Sequence, residues 1–207
     1  MHNINFIEKI YENDHSLYRQ AIYNNLAILL TEYTTSFSKT MVVRFDVTYP
    51  KSFMAVEDNS DMSDLMKLLI QQCSRNGVSP AYFWVREQSL RSDNQHYHCM
   101  LLLDGNKTCW YYPYIELAEK MWGRILNVDP KGLIHHCDRD PDGNRQANGI
   151  ILRSDDPKYE SKIDTVVRQA MYLAKDHTKG FYNDGIRDFG MTRISSISQL
   201  RKKFRSN

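Results

Sequence analysis

The sequence predicts an α+β protein with a ferredoxin-like (RRM-like) fold, a central antiparallel sheet with helices on one face and a site on the other. Three patterns support this prediction: an alternating strand followed by an amphipathic helix, a hairpin of two apolar strands, and a further helix before the returning strands. The 207 residues are enough for one domain with a substantial core.

The first predicted elements are a helix, a strand and a crossover helix. Apolar spacing predicts a helix from Ser16 to Tyr33, with Ser16 as its cap. The stretch 41–50 alternates between apolar and polar residues, which predicts a strand that ends at Pro50. Its apolar face carries Val43, Phe45 and Val47, and its polar face carries Arg44, Asp46 and Thr48. A second amphipathic helix follows over 62–73.

The later elements complete the unit. The stretches 81–88 and 95–103 are predicted to pair as a hairpin. Pro113 opens a helix that continues to Ile125. Two strands, "GLIHHCD" and "NGIILR", are expected around a "DPDGN" turn, and a helix from Lys162 to about Lys175 follows.

Charge is small overall but uneven along the chain. The net charge is +2, yet Arg187 to Asn207 contains six Arg or Lys residues against one acid. Such a basic end suits a phosphate backbone, although many basic ends are simply solvated. We therefore expect a helical extension over 1–40, a main domain over 41–193 and a basic tail over 194–207.

No apolar run approaches the length of a membrane span, and the first twelve residues are too polar for a signal peptide. The four cysteines show no CxxC spacing, so we expect reduced thiols in a cytoplasmic protein.

The stretch "NQHYHCMLLLDG" predicts a metal site. His96 and His98 point to one face of a strand, because side chains alternate along it. Across the predicted hairpin, Glu87 shares that face and opposes one of the two histidines, depending on register. Two imidazoles and a carboxylate form a three-ligand divalent-metal site that suits Mn²⁺ or Mg²⁺. The alternative is a chance H-x-H on a strand.

Tyr172 and Lys175 are neighbours on the polar side of the last predicted helix. They are either a half-exposed tyrosine beside a solvated lysine, or a nucleophile with its partner. A phenol is almost fully protonated at neutral pH. A tyrosine nucleophile therefore needs a nearby cation or a metal-polarised phosphate.

Three other features are weaker candidates. His135, His136 and Cys137 are adjacent on a predicted strand and are not expected to share a metal. Asp46 either orients a ligand histidine or forms a salt bridge near Arg44. Trp110 to Tyr112 either stack on DNA bases or pack, whereas core positions are favoured for Phe83 and Trp122.

The combination of H-x-H on a strand, an upstream Glu and a downstream Y-x-x-K resembles the HUH family of single-strand DNA endonucleases. Within it, the chain is similar to filamentous-phage (inovirus) gene-II-type rolling-circle replication initiators. This similarity rests on "FDVTYP", "HYHCMLLL", "MYLAKDHTK" and "GIRDFGMTR", and covers roughly Met41 to Arg193.

The resemblance implies an HUH fold in which His96, His98 and Glu87 bind Mg²⁺ or Mn²⁺, and Tyr172 is the nucleophile with Lys175 as its partner. It implies nicking and joining of single-stranded or hairpin origin DNA through a 5′-phosphotyrosine, in the cytoplasm of a bacterial host. No GxxxxGK[ST] motif is present, so unwinding requires a host helicase and extension a host polymerase. The predicted helix holds no second tyrosine, which favours a single nucleophile. A related transposase or relaxase, or a non-catalytic DNA-binding remnant, remains the alternative.

Overall fold

The structure, a computed structural model, describes residues 6, 20–51, 53–55, 58–87, 94–140, 142–174 and 185–197. The helices are α1 (Gln20–Ser36), α2 (Ser60–Arg75), α3 (Tyr112–Leu126) and α4 (Tyr159–Ala174). The strands are β1 (Lys39–Thr48), β2 (Ala81–Glu87), β3 (His96–Asp104), β4 (Ile134–His135), β5 (Ile150–Arg153) and β6 (Phe189–Met191).

One antiparallel sheet forms the centre of the described chain. Its strands lie in the order β4-β1-β3-β2-β6, and β5 also pairs with β1. The central pair is β1 with β3, in which Asp46 lies opposite His98. The protein is therefore α+β with an open antiparallel sheet, which is compatible with the predicted ferredoxin-like arrangement.

Helices cover both faces of the sheet, so the predicted placement of helices on one face holds for α2 and α3 but not for α1 and α4. On one face, α2 and α3 pack over odd-numbered residues of β1 and β3 such as Phe45 and Cys99. On the other face, α1 and α4 pack over even-numbered residues such as Val42 and Met100. The reason is that residues 41–43 of β1 and 99–103 of β3 are apolar on both faces, and each apolar surface must be covered. The candidate site described below lies on the sheet face that α1 and α4 cover, at the end where β3 begins.

The two strands predicted on either side of the "DPDGN" turn are present as β4 and β5, and they do not pair with each other. Both strands pair with β1 instead, β4 at Asp46 and Val47 and β5 from Lys39 to Val42. The turn itself is held by an isolated bridge between Arg139 and Arg145. Each short strand thus extends the sheet at a different part of the same edge.

The strand β6 was not predicted. It contains the first three residues of the "FGMT" segment, and the contacts of these residues give the segment a structural role. Phe189 stacks on Phe83, with ring centroids 5.3 Å apart. Gly190 lies against the buried ring of Trp84, with no room for a side chain. The backbone N–H of Tyr82 donates to Oγ1 of Thr192 at 3.0 Å. This segment therefore closes the β2 edge of the sheet.

We expect Gly190→Ala to destabilise the fold. The new Cβ would lie 2.5 Å from Cε2 and Cζ2 of Trp84, an indole that is 2% exposed and has little freedom to move. Overpacking of this kind costs about 1–3 kcal/mol. The measurement is urea unfolding, and the double variant with Trp84→Phe should recover part of the loss, because it removes the crowded ring edge. Unchanged stability in Gly190→Ala would contradict the packing of β6 on Trp84.

The predicted helical stripes are confirmed where the structure describes them. The buried residues of α2 include Met62, Leu65, Met66, Leu69 and Cys73, and those of α4 include Ile163, Val166, Val167, Ala170 and Ala174. Helix α1 shares a core with α4, and the predicted cap Ser16 lies outside the described residues. Phe83 and Trp122 are core residues, as predicted.

All four cysteines are free, and Cys109 is the exposed one. Among the described helices, none has the length and apolarity that crossing a membrane requires.

Candidate metal and tyrosine site

Glu87, His96 and His98, here called the ligand triad, converge at the ends of β2 and β3. Register places Glu87 opposite His96, while its carboxylate also reaches His98 two residues along. Oε2 of Glu87 lies 2.8 Å from Nε2 of His98, and Oε1 lies 3.8 Å from Nε2 of His96. The sequence left open which histidine Glu87 would face, and the structure shows that it meets both.

Asp46 holds the other side of the His98 ring. Its Oδ1 lies 2.8 Å from Nδ1 of His98, since the two residues are paired across β1 and β3. Its Oδ2 also lies 3.5 Å from the guanidinium of Arg44. Asp46 therefore contacts the His98 ring, and its salt bridge is with Arg44 itself rather than with a neighbour of Arg44. A histidine fixed at Nδ1 by a carboxylate has a defined orientation for metal binding through Nε2.

The carboxylates set the charge of the site. Burial by itself would lower the pKa of His98, but the hydrogen bonds to Asp46 and Glu87, together with the charges of these carboxylates, outweigh burial and raise it. Burial would raise the pKa of Asp46, but the hydrogen bond from His98 and the charges of His98 and Arg44 hold that pKa below its ordinary value. The site therefore favours an ionised carboxylate beside a cation.

Tyr172 lies directly beside the ligand triad. Its ring meets the His98 ring edge to face, with centroids 5.2 Å apart, and its side chain is 45% exposed. The guanidinium carbon of Arg44 lies 3.9 Å from the centre of the Tyr172 ring. The structure thus brings together His98 from β3 and Tyr172 from the last turn of α4. Lys175 lies outside the described residues.

The ligand triad fits a divalent cation. One donor atom from each of its residues lies within 4.8 Å of the other two. The donors are two imidazole nitrogens and a carboxylate, a mixed set that suits Mn²⁺ and accommodates Mg²⁺. His96 is only partly buried, so one side of the triad is accessible to a ligand from solvent. These observations support a metal-binding capacity of the three residues.

Arg44 is the site residue that the sequence reasoning did not single out. The alternation of β1 placed Arg44 on the same face as Asp46, which was the available signal. That signal does not predict contact with Tyr172, because the contact depends on where α4 docks on the sheet.

Asp46, His135 and Cys137, here called the second cluster, also converge, which corrects the sequence interpretation. Alternation on a strand separates His135 from His136, but it does not separate residues two positions apart. His135 pairs with Asp46 across β4 and β1, and Sγ of Cys137 lies 3.5 Å from Nδ1 of His135.

An aromatic stack runs from the surface towards the second cluster. Its members are Trp110, Tyr111, Tyr112 and His136. Trp110 is 62% exposed, and its ring centroid lies 5.3 Å from that of Tyr112. Tyr112 in turn lies 5.3 Å from His136, the residue between His135 and Cys137. Trp110 is therefore a surface residue, with a ring that is accessible to a partner.

Fold and site together define an α+β protein with a histidine–carboxylate cluster beside an exposed tyrosine. A model of the YagK/YfjJ C-terminal domain matches residues 1–192, and the chain belongs to this family. No curated protein matches the chain. No solved structure matches it either.

Proposed function

We propose that the protein is a metal-dependent endonuclease of the HUH class that nicks and rejoins single-stranded DNA to initiate rolling-circle replication. The observation that carries the proposal is the contact between the rings of His98 and Tyr172. A candidate metal ligand and a candidate nucleophile that are distant in sequence are neighbours in the fold. The resemblance described above supplies the reaction class, and the ferredoxin-like strand order is consistent with an HUH fold.

Glu87, His96 and His98 would hold Mg²⁺ or Mn²⁺. When bound, such an ion polarises a phosphate and neutralises its charge. Asp46 orients the His98 ring through the 2.8 Å contact at Nδ1. Arg44, over the ring of Tyr172, supplies a fixed positive charge next to the tyrosine and to the incoming phosphate.

Tyr172 acts as the nucleophile in the proposed reaction. Its phenolic oxygen forms a bond to phosphorus and its proton passes to solvent, while the bond from phosphorus to the 3′ oxygen breaks. The 3′ oxygen leaves with a proton as a free hydroxyl, and the 5′ phosphate stays on the tyrosine. The same step run backwards with another 3′ hydroxyl restores the phosphodiester. Lys175, as the proposed partner of Tyr172, would bind phosphate or assist the phenol.

The proposed partners are single-stranded or hairpin origin DNA, a host helicase and a host polymerase, in the cytoplasm of a bacterial cell. The free 3′ hydroxyl is the substrate that a polymerase needs. Unwinding is assigned to the host, since the sequence carries no phosphate-binding loop of a motor.

The test is a cleavage assay with the full chain and a pool of single-stranded oligonucleotides that includes hairpin origins. The samples contain Mn²⁺, Mg²⁺ or chelator and are resolved on denaturing gels. We expect an SDS-resistant protein–DNA adduct that requires metal, with the phosphopeptide mapping to Tyr172. DNA binding without an adduct under all conditions would overturn the nuclease proposal in favour of a non-catalytic DNA-binding protein. Strand transfer to a second supplied end, without origin preference, would favour a transposase or relaxase.

We expect Trp110→Ala to weaken binding of single-stranded DNA by about 5- to 150-fold, because stacking contributes about 1–3 kcal/mol per base. Stability should change little, since Trp110 is 62% exposed. Fluorescence anisotropy with a labelled oligonucleotide measures the affinity, and Met54→Ala, at a 94% exposed position, is the matched control. Equal affinities for Trp110→Ala and the unchanged protein would show that the aromatic stack does not bind DNA.

A further inference from the structure

Asp46, His135 and Cys137 offer a carboxylate, an imidazole and a thiol to one point at the edge of the sheet. One donor atom from each lies within 4.8 Å of the other two. Asp46 and His135 are brought together by the pairing of β1 with β4, and Cys137 follows His135 by two residues. The three donors therefore come from two segments that the sheet itself aligns.

The backbone turns Cys137 towards the other two residues. Cys137 has a φ of 51°, a left-handed conformation that costs a residue other than glycine about 1–3 kcal/mol. Its backbone N–H donates to Nδ1 of His135 at 3.3 Å. An ordinary extended conformation would continue the strand past the cluster, whereas this turn keeps the thiol beside His135 and Asp46.

Asn148 holds this segment against β1. Its Nδ2 donates to the carbonyl oxygen of Arg44 at 2.7 Å and also to that of His136. Its Oδ1 accepts from the backbone N–H of Arg44 at 2.8 Å. One side chain thus bridges the strand that carries Asp46 and the segment that carries His135 and Cys137. The backbone segments that carry the three donors are held together before any ligand arrives, which lowers the cost of binding.

We propose that Asp46, His135 and Cys137 form a second metal site, selective for Zn²⁺. Thiolate, imidazole and carboxylate are the ligand types of zinc, with a fourth position open to water. The side chain of His135 is exposed, so the cluster is accessible from solvent on the side of His135. On binding, the Cys137 sulfur bonds to the metal and its proton passes to solvent. The ligand triad contains no sulfur, so the two sites differ in the metal that they prefer.

Asp46 connects the two sites, because it belongs to the second cluster and also contacts His98 of the ligand triad. The carboxylate that would bind Zn²⁺ also lies 2.8 Å from Nδ1 of His98 and 3.5 Å from Arg44. Zinc bound to the second cluster would therefore weaken the interactions of the Asp46 carboxylate with His98 and Arg44. The proposal rests on metal binding alone, and it stands or falls independently of DNA cleavage.

The test uses Co²⁺ as a spectroscopic probe for Zn²⁺ on the chelator-treated full chain. We expect a thiolate-to-cobalt charge-transfer band in the near ultraviolet that saturates during the titration and is removed by Zn²⁺. The band should vanish in Cys137→Ser and persist in Cys109→Ser, a control at the exposed cysteine. A complete absence of the band, or a band that persists in Cys137→Ser, would overturn the proposal.

Two further measurements keep the test decisive if Cys137→Ser fails to fold. In the unchanged protein, Zn²⁺ should protect Cys137 from alkylation under partly denaturing conditions, as mapped by mass spectrometry. His135→Ala changes an exposed side chain and should weaken Co²⁺ binding at least about tenfold. Unchanged alkylation together with unchanged Co²⁺ affinity would contradict the site. Cleavage with Mn²⁺ in Cys137→Ser and His135→Ala reports on the ligand triad and Tyr172. It therefore tests the proposed nuclease activity separately from the zinc site.

Discussion

Replacing Tyr172 by phenylalanine is expected to abolish the covalent protein–DNA adduct and to reduce nicking by at least about 10³-fold. The substitution removes the proposed nucleophilic oxygen and retains the ring, with its contacts to His98 and Arg44. DNA affinity and stability should stay close to those of the unchanged protein, because the side chain is 45% exposed and keeps its shape. Denaturing gels measure the adduct, and anisotropy measures affinity.

The matched control is Tyr159→Phe, at the opposite end of α4. This tyrosine is partly buried against the α1–α4 core and is remote from the last turn that carries Tyr172. Its loss should leave the adduct intact. A full adduct yield in Tyr172→Phe would mean that another tyrosine attacks, and Tyr182, which lies outside the described residues, would be the next residue to replace.

Replacing His98 by alanine is expected to weaken Mn²⁺ binding at least about 100-fold and to reduce cleavage by a similar factor or more. His98 is the central residue of the site, because its two ring nitrogens each lie 2.8 Å from a carboxylate oxygen. Its removal takes away a candidate ligand and leaves the carboxylates of Asp46 and Glu87 without the imidazole that both contact. Calorimetric Mn²⁺ titration provides a readout that does not depend on DNA.

Destabilisation alone must be separated from the loss of a ligand. Breaking a buried ion pair costs about 3–5 kcal/mol. Met100→Ala is the control, since Met100 is the next residue on the same face of β3 and is 1% exposed. Its truncation costs about 2–5 kcal/mol of stability while keeping all three ligands. If both variants lost Mn²⁺ binding equally, the ligand role of His98 would be refuted.

Local sequence pattern predicted most of the elements and the face of each site residue. The alternation of β1 and β3 placed Arg44, Asp46, His96 and His98 correctly, because side chains alternate on any strand. The helical stripes of α2 and α4 were equally visible, since burial follows the 3.6-residue period. The predicted proximity of Glu87 to the histidines followed from the hairpin.

Other contacts depend on how distant elements pack. A strand of three residues such as β6 has too little pattern to be detected, and its place is decided by the fit of Gly190 against Trp84. Cys137 joins Asp46 and His135 through a left-handed backbone turn that no periodicity encodes.

By itself, the sequence determined an α+β chain with two histidines on one strand face, a glutamate predicted to share that face of the sheet, and a tyrosine on the polar side of a late helix. Only the tertiary structure decided that this tyrosine lies on His98 under Arg44, and that Asp46 stands between two clusters of ligands. The physical reason is that periodicity assigns a side chain only to a face of its own helix or strand. Contacts between distant side chains depend on how complete elements pack, and here on the docking of α4 against the sheet.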